Sequence, residues 1–206
     1  MTANKDDEQV LVIKSDIIFN PPAGGGKWQG LKTDNLDYYI DLIKKNCEFK
    51  RRGDMENDPS FKQIIPYIIF NYKDKYFLYR YLKKAGEQRL KNDYIIGVGG
   101  HINQIDLNSG GDILEAGMDR EWSEEIDYKG KLDKKLIGIL NDSRRPVESV
   151  HLGLVYLFRG DNPDILVRET DKLKGELVNI EELRKKVEGI EEGWAPLIYD
   201  EYLKNV

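Results

Sequence analysis

The 206-residue sequence contains one cysteine, Cys47, and therefore forms no disulfide within the chain. So low a cysteine content is typical of proteins from reducing compartments. No apolar run approaches the roughly 20 residues that span a bilayer. Residues 1–10 are polar and acidic, whereas a signal peptide has a basic start and an apolar core. These absences predict a cytoplasmic protein with no membrane partner.

An excess of basic residues is also missing. The chain has 32 Lys+Arg against 37 Asp+Glu, for a formal net charge of -5. Because a nucleic-acid backbone favours a basic surface, this balance predicts no nucleic-acid partner. A polyanionic small molecule would need a metal ion to bridge it to such a protein. The length suits one domain, or one domain with an added segment, and no internal repeat stands out.

The residues that suggest chemistry lie between Gly99 and Tyr128. Asp112 is a favourable helix N-cap, and Glu115 is placed three residues later, where it can complete a capping box. A helix is therefore predicted from Asp112 to about Ile126. At about 100° per residue, one apolar stripe on this helix faces a core. The stripe consists of Leu114, Met118, Trp122 and Ile126.

Three carboxylates lie at the edge of this stripe, those of Glu121, Glu124 and Glu125. Like charges at this spacing repel, and burial raises the cost. Arg120 offsets only part of the charge. A hard divalent cation with oxygen ligands would offset the remainder, which predicts Mg²⁺ or Mn²⁺. The alternative interpretation is a solvated, glutamate-rich helix face.

The same residues resemble the Nudix box. That pattern reads Gly, five residues, Glu, seven residues, then Arg-Glu-hydrophobic-any-Glu-Glu-any-Gly-hydrophobic. The run Arg120–Tyr128 is similar to its second half, and Gly99-Gly100-His101 is similar to its start. There are three departures: about six extra residues, placed in the loop Asn103–Gly110; Asp112 where the first Glu belongs; and Asp127 in place of the late Gly.

The wider resemblance, from about Phe61 to Glu182, is to a MutT-like subgroup of predicted phosphoesterases. It implies an α+β fold, a Nudix-type α/β/α sandwich with a mixed sheet and an added N-terminal strand and helix. Residues 1–58 are predicted to form this extension, packed on the main domain, and residues 59–206 to form the Nudix domain with C-terminal helices. The similar segments outside the box are residues 58–67, 86–90, 96–102 and 151–156.

Hydrophobic patterning predicts the other elements. The predicted strands are residues 10–19, 63–72, 75–82, 93–98, 135–140, 150–158 and 165–169, of which the second and third form a hairpin. The predicted helices are residues 35–49, 179–187 and 194–203. Arg51 and Arg52 are interpreted as part of a solvated link, with phosphate contact as the alternative.

The resemblance also implies roles for the box residues. The metal ligands would be Glu121, Glu124, Glu125 and the carbonyl of Gly99 or Gly100. Glu121 is the expected catalytic base, and Arg120 is expected to orient the carboxylates through ion pairs. His101 is interpreted as a packed or loop-anchoring ring.

Further roles rest on weaker signals. Many Nudix enzymes use a distal carboxylate as ligand or base, which here would be Glu169 or Glu176, and no motif decides between them. Arg144 and Arg145 are candidates for contact with a substrate diphosphate, because an arginine fork suits such a group. Exposed loop charges are the alternative. Nudix enzymes often form homodimers, but the sequence identifies no dimer surface.

The leading hypothesis is hydrolysis of a phosphoanhydride in a nucleoside diphosphate linked to another group, a small-molecule, nucleotide-type substrate. Two alternatives remain open. One is a Nudix-fold module that senses a nucleotide without cleaving it, motivated by Asp112 and Asp127. The other is a purely structural or interaction protein. The sequence does not name the substrate.

Overall fold

The computed structural model describes residues 4–22, 24–82, 94–188, 190 and 193–206. No helix within these ranges is long and apolar enough to cross a membrane. The strands are β1 (Gln9–Lys14), β2 (Gly30–Lys32), β3 (Glu48–Arg51), β4 (Phe61–Tyr72), β5 (Lys75–Tyr81), β6 (Val98–Gly99), β7 (Ile126–Tyr128), β8 (Leu132–Asn141), β9 (His151–Gly160), β10 (Ile165–Val167) and β11 (Leu173–Asn179). The helices are α1 (Ser15–Phe19), α2 (Leu36–Asn46), α3 (Arg52–Met55), α4 (Ile113–Glu125), α5 (Pro146–Ser149), α6 (Ile180–Val187) and α7 (Ala195–Glu201). Short 3-10 helices occupy Lys5–Asp7, Gln104–Ser109 and Leu203–Asn205.

Most strands form one mixed sheet with the order β11-β5-β4-β9-β8-β2. The central strands β4 and β9 are parallel, from Gln63 opposite His151 to Asn71 opposite Arg159. Strand β1 pairs with both β3 and β4, and β6 pairs with β4. Strands β7 and β10 form a separate antiparallel pair. The predicted mixed sheet is confirmed.

Helices cover both faces of this sheet. Since successive side chains of a strand point to opposite faces, Leu154 and Val155 of β9 enter different clusters. Leu154 packs in a core with α1, α2 and Leu114 of α4. Val155 packs in a core with α6 and α7. This layering is why β4 and β9 are nearly continuous apolar runs, as strands covered on both faces require. The predicted α/β/α sandwich is confirmed.

Several predicted elements differ at their ends. The strand predicted over residues 10–19 stops at Lys14, which pairs with Phe61, the first residue of β4. Residues 15–19 form α1 instead. The helix predicted over residues 35–49 ends at Asn46, and Phe49 belongs to β3. The hairpin of β4 and β5 is confirmed.

Strand β11 was not predicted, because its Lys, Gly, Glu and Asn residues are poor strand formers. Backbone pairing with β5 along its whole length holds it at the sheet edge. The strand predicted over residues 93–98 is reduced to β6 and a bridge between Ile95 and Tyr79. Residue 93 and the segment 86–90 lie outside the described residues.

Candidate active site

A cavity of about 690 Å³ is lined by α4, β4, β6, the start of β9 and the N-terminal segment. This volume suits a ligand of nucleotide size. The cavity brings together Gly99, Gly100 and Arg120 with the three glutamates of α4. The structure therefore gathers in one place the residues of the box that were predicted to bind metal.

Helix α4 presents these glutamates as its sequence predicts. Asp112 caps the helix, its Oδ1 accepting a hydrogen bond from Leu114 N at 2.9 Å. The four residues of the apolar stripe are at most 7% exposed. Glu121 is buried, Glu125 is half-buried and Glu124 is exposed. The interpretation as a solvated face thus describes Glu124, whereas Glu121 lies at the border between core and cavity.

Arg120 connects the acidic residues. Its Nη1 donates to Glu121 Oε1 at 2.8 Å and to Glu124 Oε2 at 3.1 Å. Its Nη2 donates to the His101 carbonyl oxygen at 2.8 Å. Burial lowers the pKa of Arg120, but its bonds to Asp106 and Glu121 more than reverse this and raise the pKa above its usual value. Arg120 is therefore a permanent cation that fixes the orientation of its neighbours.

Asp106 is a site residue that the sequence interpretation missed. It is 3% exposed, and its Oδ1 and Oδ2 accept from Arg120 Nε at 2.6 Å and Nη2 at 3.1 Å. Asp112, assigned to the place of the first box Glu, instead caps α4 and pairs with Lys44 of α2. That assignment was wrong. Asp106 stands six residues after Gly100, the spacing of the box, so the extra residues follow it.

Burial raises the pKa of Glu121, and it raises the pKa of Glu125 to about 7, with the charge of Glu121 as the second cause. No hydrogen bond from Arg120 to Glu125 occurs among the described residues. Instead the Tyr79 hydroxyl lies 3.4 Å from Glu125 Oε2 and 3.2 Å from the Gly97 carbonyl oxygen. The contact of Tyr79, a residue of β5, with Glu125 was not predicted from the sequence. Among the described residues no cationic side chain pairs with Glu125, so its charged form is disfavoured.

The paired glycines allow close approaches. A Cβ on Gly100 would lie 2.3 Å from Glu121 Oε2, and a Cβ on Gly99 would lie 2.6 Å from the Pro66 carbonyl oxygen. A side chain at Gly100 would therefore occupy the space of the Glu121 carboxylate. This is a different reason for glycine from the approach of a carbonyl to a cation, which the sequence predicted.

The chemistry of this donor set fits a hard divalent cation. Carboxylate and carbonyl oxygens are the ligands that Mg²⁺ and Mn²⁺ prefer, and the charge of Glu125 needs compensation. The three glutamates do not yet form a set with one oxygen each within 4.8 Å of one another, judged over the described residues.

The remaining predicted residues lie outside the cavity wall in the described part of the chain. Arg144 forms two hydrogen bonds with the buried carboxylate of Asp142, at 2.9 and 2.7 Å, and Arg145 stands at the N-terminus of α5. Glu176 pairs with Lys186, and Glu169 pairs with Lys172. Of these two glutamates, Glu169 contributes to the raised pKa of Glu125. The substrate and catalytic roles of all four stay predictions.

The N-terminal segment supplies part of the cavity wall through Lys5, Glu8 and Arg52. Arg52 pairs with Glu8 at 3.2 Å and with Glu56 at 3.1 Å. The interpretation of Arg52 as part of a solvated link was therefore wrong, because α3 places it against the cavity. Arg51, its neighbour, is more exposed and pairs with aspartates of the same segment.

Four ring side chains also line the cavity. Tyr67 of β4 and Trp194 meet edge to face, with ring centroids 5.4 Å apart. His101 and His151 face each other nearby, and burial lowers the pKa of both, to about 3 for His101. The predicted packing of the His101 ring is thus observed, and its partner is a second histidine.

No family model matches the chain. Protein YmaB of Bacillus subtilis (strain 168) is 31% identical over 204 residues, which cover 95% of this chain and 98% of YmaB. The crystal structure of Tm1382, a Nudix hydrolase by inference, matches with a TM-score of 0.80 and 27% identity. That match covers 97% of this chain and 100% of Tm1382.

Proposed function

The chain belongs to the Nudix hydrolase superfamily and is a pyrophosphohydrolase of that type, and from this premise we propose that it cleaves a phosphoanhydride in a nucleoside diphosphate linked to another group. One observation carries the proposal: Arg120 gathers Asp106, Glu121 and Glu124 beside Glu125, which pairs with no cationic side chain of the described residues. An acidic cluster of this kind binds a polyanion only through a cation.

The proposed cofactor is Mg²⁺ or Mn²⁺. Glu121, Glu124, Glu125 and the carbonyl of Gly99 or Gly100 would hold it. When bound, such an ion neutralises a diphosphate and lowers the pKa of a water molecule.

Glu121 is the proposed proton acceptor. Arg120 holds one of its oxygens through a hydrogen bond of 2.8 Å, and its carboxylate occupies the space beside Gly100 where a side chain would otherwise lie. A fixed carboxylate accepts a proton without first reorganising, which is what a general base requires. Glu169 is the preferred candidate for the distal carboxylate, because its charge contributes to the raised pKa of Glu125. Both candidates pair with a lysine, Glu169 with Lys172 and Glu176 with Lys186.

The nucleoside would contact Trp194 and Tyr67. Trp194 lines the cavity, and its indole Nε1 is buried and has no hydrogen-bond partner within the described residues. An aromatic ring stacks on a nucleobase, and an indole N–H donates to a polar edge. Lys5 and Arg52, which also line the cavity, carry positive charges that suit phosphate oxygens.

Hydrolysis of a panel of nucleoside diphosphate derivatives with Mg²⁺ or Mn²⁺ tests this function. We expect Glu124→Gln and Glu125→Gln each to lower turnover at least about 100-fold, because each removes a charged ligand. Glu115→Gln is the matched control, since Glu115 is an exposed glutamate of the same helix. Full turnover in both variants would refute the metal assignment. Tight nucleotide binding with no product from any panel member would instead favour a sensing module.

A further inference from the structure

The two histidines of the chain meet at one wall of the cavity. The sequence contains no others, and they are 50 residues apart. His101 follows β6, and His151 begins β9. Their Nε2 atoms lie 3.4 Å apart, with the ring planes at 63°. Neither ring belongs to the glutamate cluster of α4, so the proposed hydrolysis leaves their meeting unexplained.

The distance between the rings favours shared ligation over a hydrogen bond. Hydrogen bonds from N–H groups in proteins span about 2.7–3.2 Å, and 3.4 Å is longer. Two nitrogens bound to one tetrahedral ion at about 2.0–2.1 Å lie about 3.3–3.4 Å from each other. The observed separation therefore equals one edge of a tetrahedral metal site.

A hydrogen bond on the far side of His151 fixes its tautomer. His151 Nδ1 lies 2.6 Å from the Val147 carbonyl oxygen. Because a carbonyl only accepts, Nδ1 carries the proton and Nε2 presents its lone pair toward His101. Histidines that bind metals usually donate their other N–H to a carbonyl or carboxylate in this way.

Glu56 of the N-terminal segment supplies a third ligand. One carboxylate oxygen of Glu56 and one ring nitrogen of each histidine lie within 4.8 Å of one another. Across the described residues, this is the group of at least three acidic, histidine or cysteine side chains that brings one ligand atom from each within this distance. Arg52 Nε donates to Glu56 Oε1 at 3.1 Å and so orients the carboxylate.

We infer that His101, His151 and Glu56 form a zinc site, separate from the glutamates of α4, with a fourth position open to the cavity. Two imidazoles select an ion of borderline softness over Mg²⁺. Three protein ligands leave one position for water or a ligand oxygen, such as a phosphate oxygen. The site would join the N-terminal segment to β9. The inference does not depend on the proposed hydrolysis, because zinc binding is measured without substrate.

Calorimetric titration of the untagged full chain with Zn²⁺ tests this site, after removal of metals with EDTA and in excess Mg²⁺ to occupy the glutamates of α4. We expect one zinc ion per chain. His101→Gln, His151→Gln and Glu56→Gln should each lower the affinity more than about 10-fold, since even the loss of a hydrogen bond to a metal ligand costs that much. Glu124→Gln should keep the wild-type affinity.

Imidazole ¹⁵N NMR of the wild-type protein gives a second readout that does not rely on folded variants. Two histidines contribute four ring nitrogens, and Zn²⁺ should shift the Nε2 signal of both rings. The inference is overturned if the wild-type protein binds no zinc in excess Mg²⁺, if both Nε2 signals stay unchanged, or if Glu124→Gln removes the binding that His151→Gln retains.

Discussion

Arg120 and Asp106 form an ion pair with two hydrogen bonds, of 2.6 and 3.1 Å, that joins α4 to the 3-10 helix before it. Asp106 is 3% exposed, and it also accepts from Asn103 N at 2.8 Å. With Asp106 holding Nε and Nη2, Arg120 presents Nη1 to Glu121 and Glu124. The orientation of the Glu121 and Glu124 carboxylates therefore depends on a residue outside the helix that carries them.

Asp106→Asn should lower the free energy of unfolding by about 3 kcal/mol, because it removes one of the two buried carboxylates that pair with Arg120, the other being Glu121. Asp112→Asn is the control: Asn also caps helices, so only the pair with Lys44 is lost, at a cost below about 1 kcal/mol. Urea denaturation measures both. An equal loss in the two variants would contradict the placement of Asp106 in the box.

Gly100→Ala should lower kcat about 100-fold while the protein stays folded, because the new Cβ would displace the Glu121 carboxylate. Gly26→Ala is the control, since a Cβ there meets no atom within 4 Å. Steady-state kinetics and circular dichroism measure the two effects. An unchanged kcat in Gly100→Ala would exclude Glu121 as the proton acceptor.

Trp194→Leu should raise KM for a nucleotide substrate about 10-fold, with little change in kcat, because stacking on a base contributes about 1–3 kcal/mol. A linked diphosphate that lacks a nucleobase serves as control, and its KM should not change. If the variant raised KM equally for both compounds, Trp194 would act through the shape of the cavity and not through the base.

Asp142→Asn should remove part of the stability gained between about pH 2 and pH 4. The hydrogen bonds from Arg144 lower the pKa of Asp142 to about 2 in the folded chain, below its ordinary value of 3.8. The wild-type stabilisation is thus complete above pH 3.8 and lost as the pH falls through 2. We expect about 1 kcal/mol, because Arg144 is 58% exposed and water screens the pair.

Urea denaturation at several pH values measures this effect. Asp164→Asn, a change of an exposed aspartate, should leave the slope of stability against pH as in the wild type. The same slope in Asp142→Asn would indicate that the pair with Arg144 contributes nothing to folding.

Local patterns predicted most of α4 correctly, because its cap, its apolar stripe and its acidic edge all lie within one short stretch of sequence. The hairpin of β4 and β5 was predictable for the same reason, since its two apolar runs and the turn between them are local. Strand β11 was not, because backbone pairing with β5 holds it and its side chains carry little signal. Patterns within one element or one turn can thus be predicted from the sequence, whereas pairing between strands that are distant in sequence cannot.

The candidate site follows the same division. Its glutamates and glycines come from one stretch of chain and were identified there. His151 and Arg52 reach the cavity from β9 and α3, and Tyr79 reaches Glu125 from β5. Their convergence depends on the tertiary arrangement. Asp106 could have been predicted, because its spacing from Gly100 is that of the box, but the inserted residues were placed in the loop Asn103–Gly110, which contains Asp106, instead of after it.

Lys5, Glu8 and Arg52 of the N-terminal segment form part of the cavity wall. If the proposed substrate binds in this cavity, a chimaera that receives residues 4–58 from a homologous hydrolase should change its substrate preference while the residues of α4 stay the same. Substrate preference would then diverge without any mutation in the motif of α4.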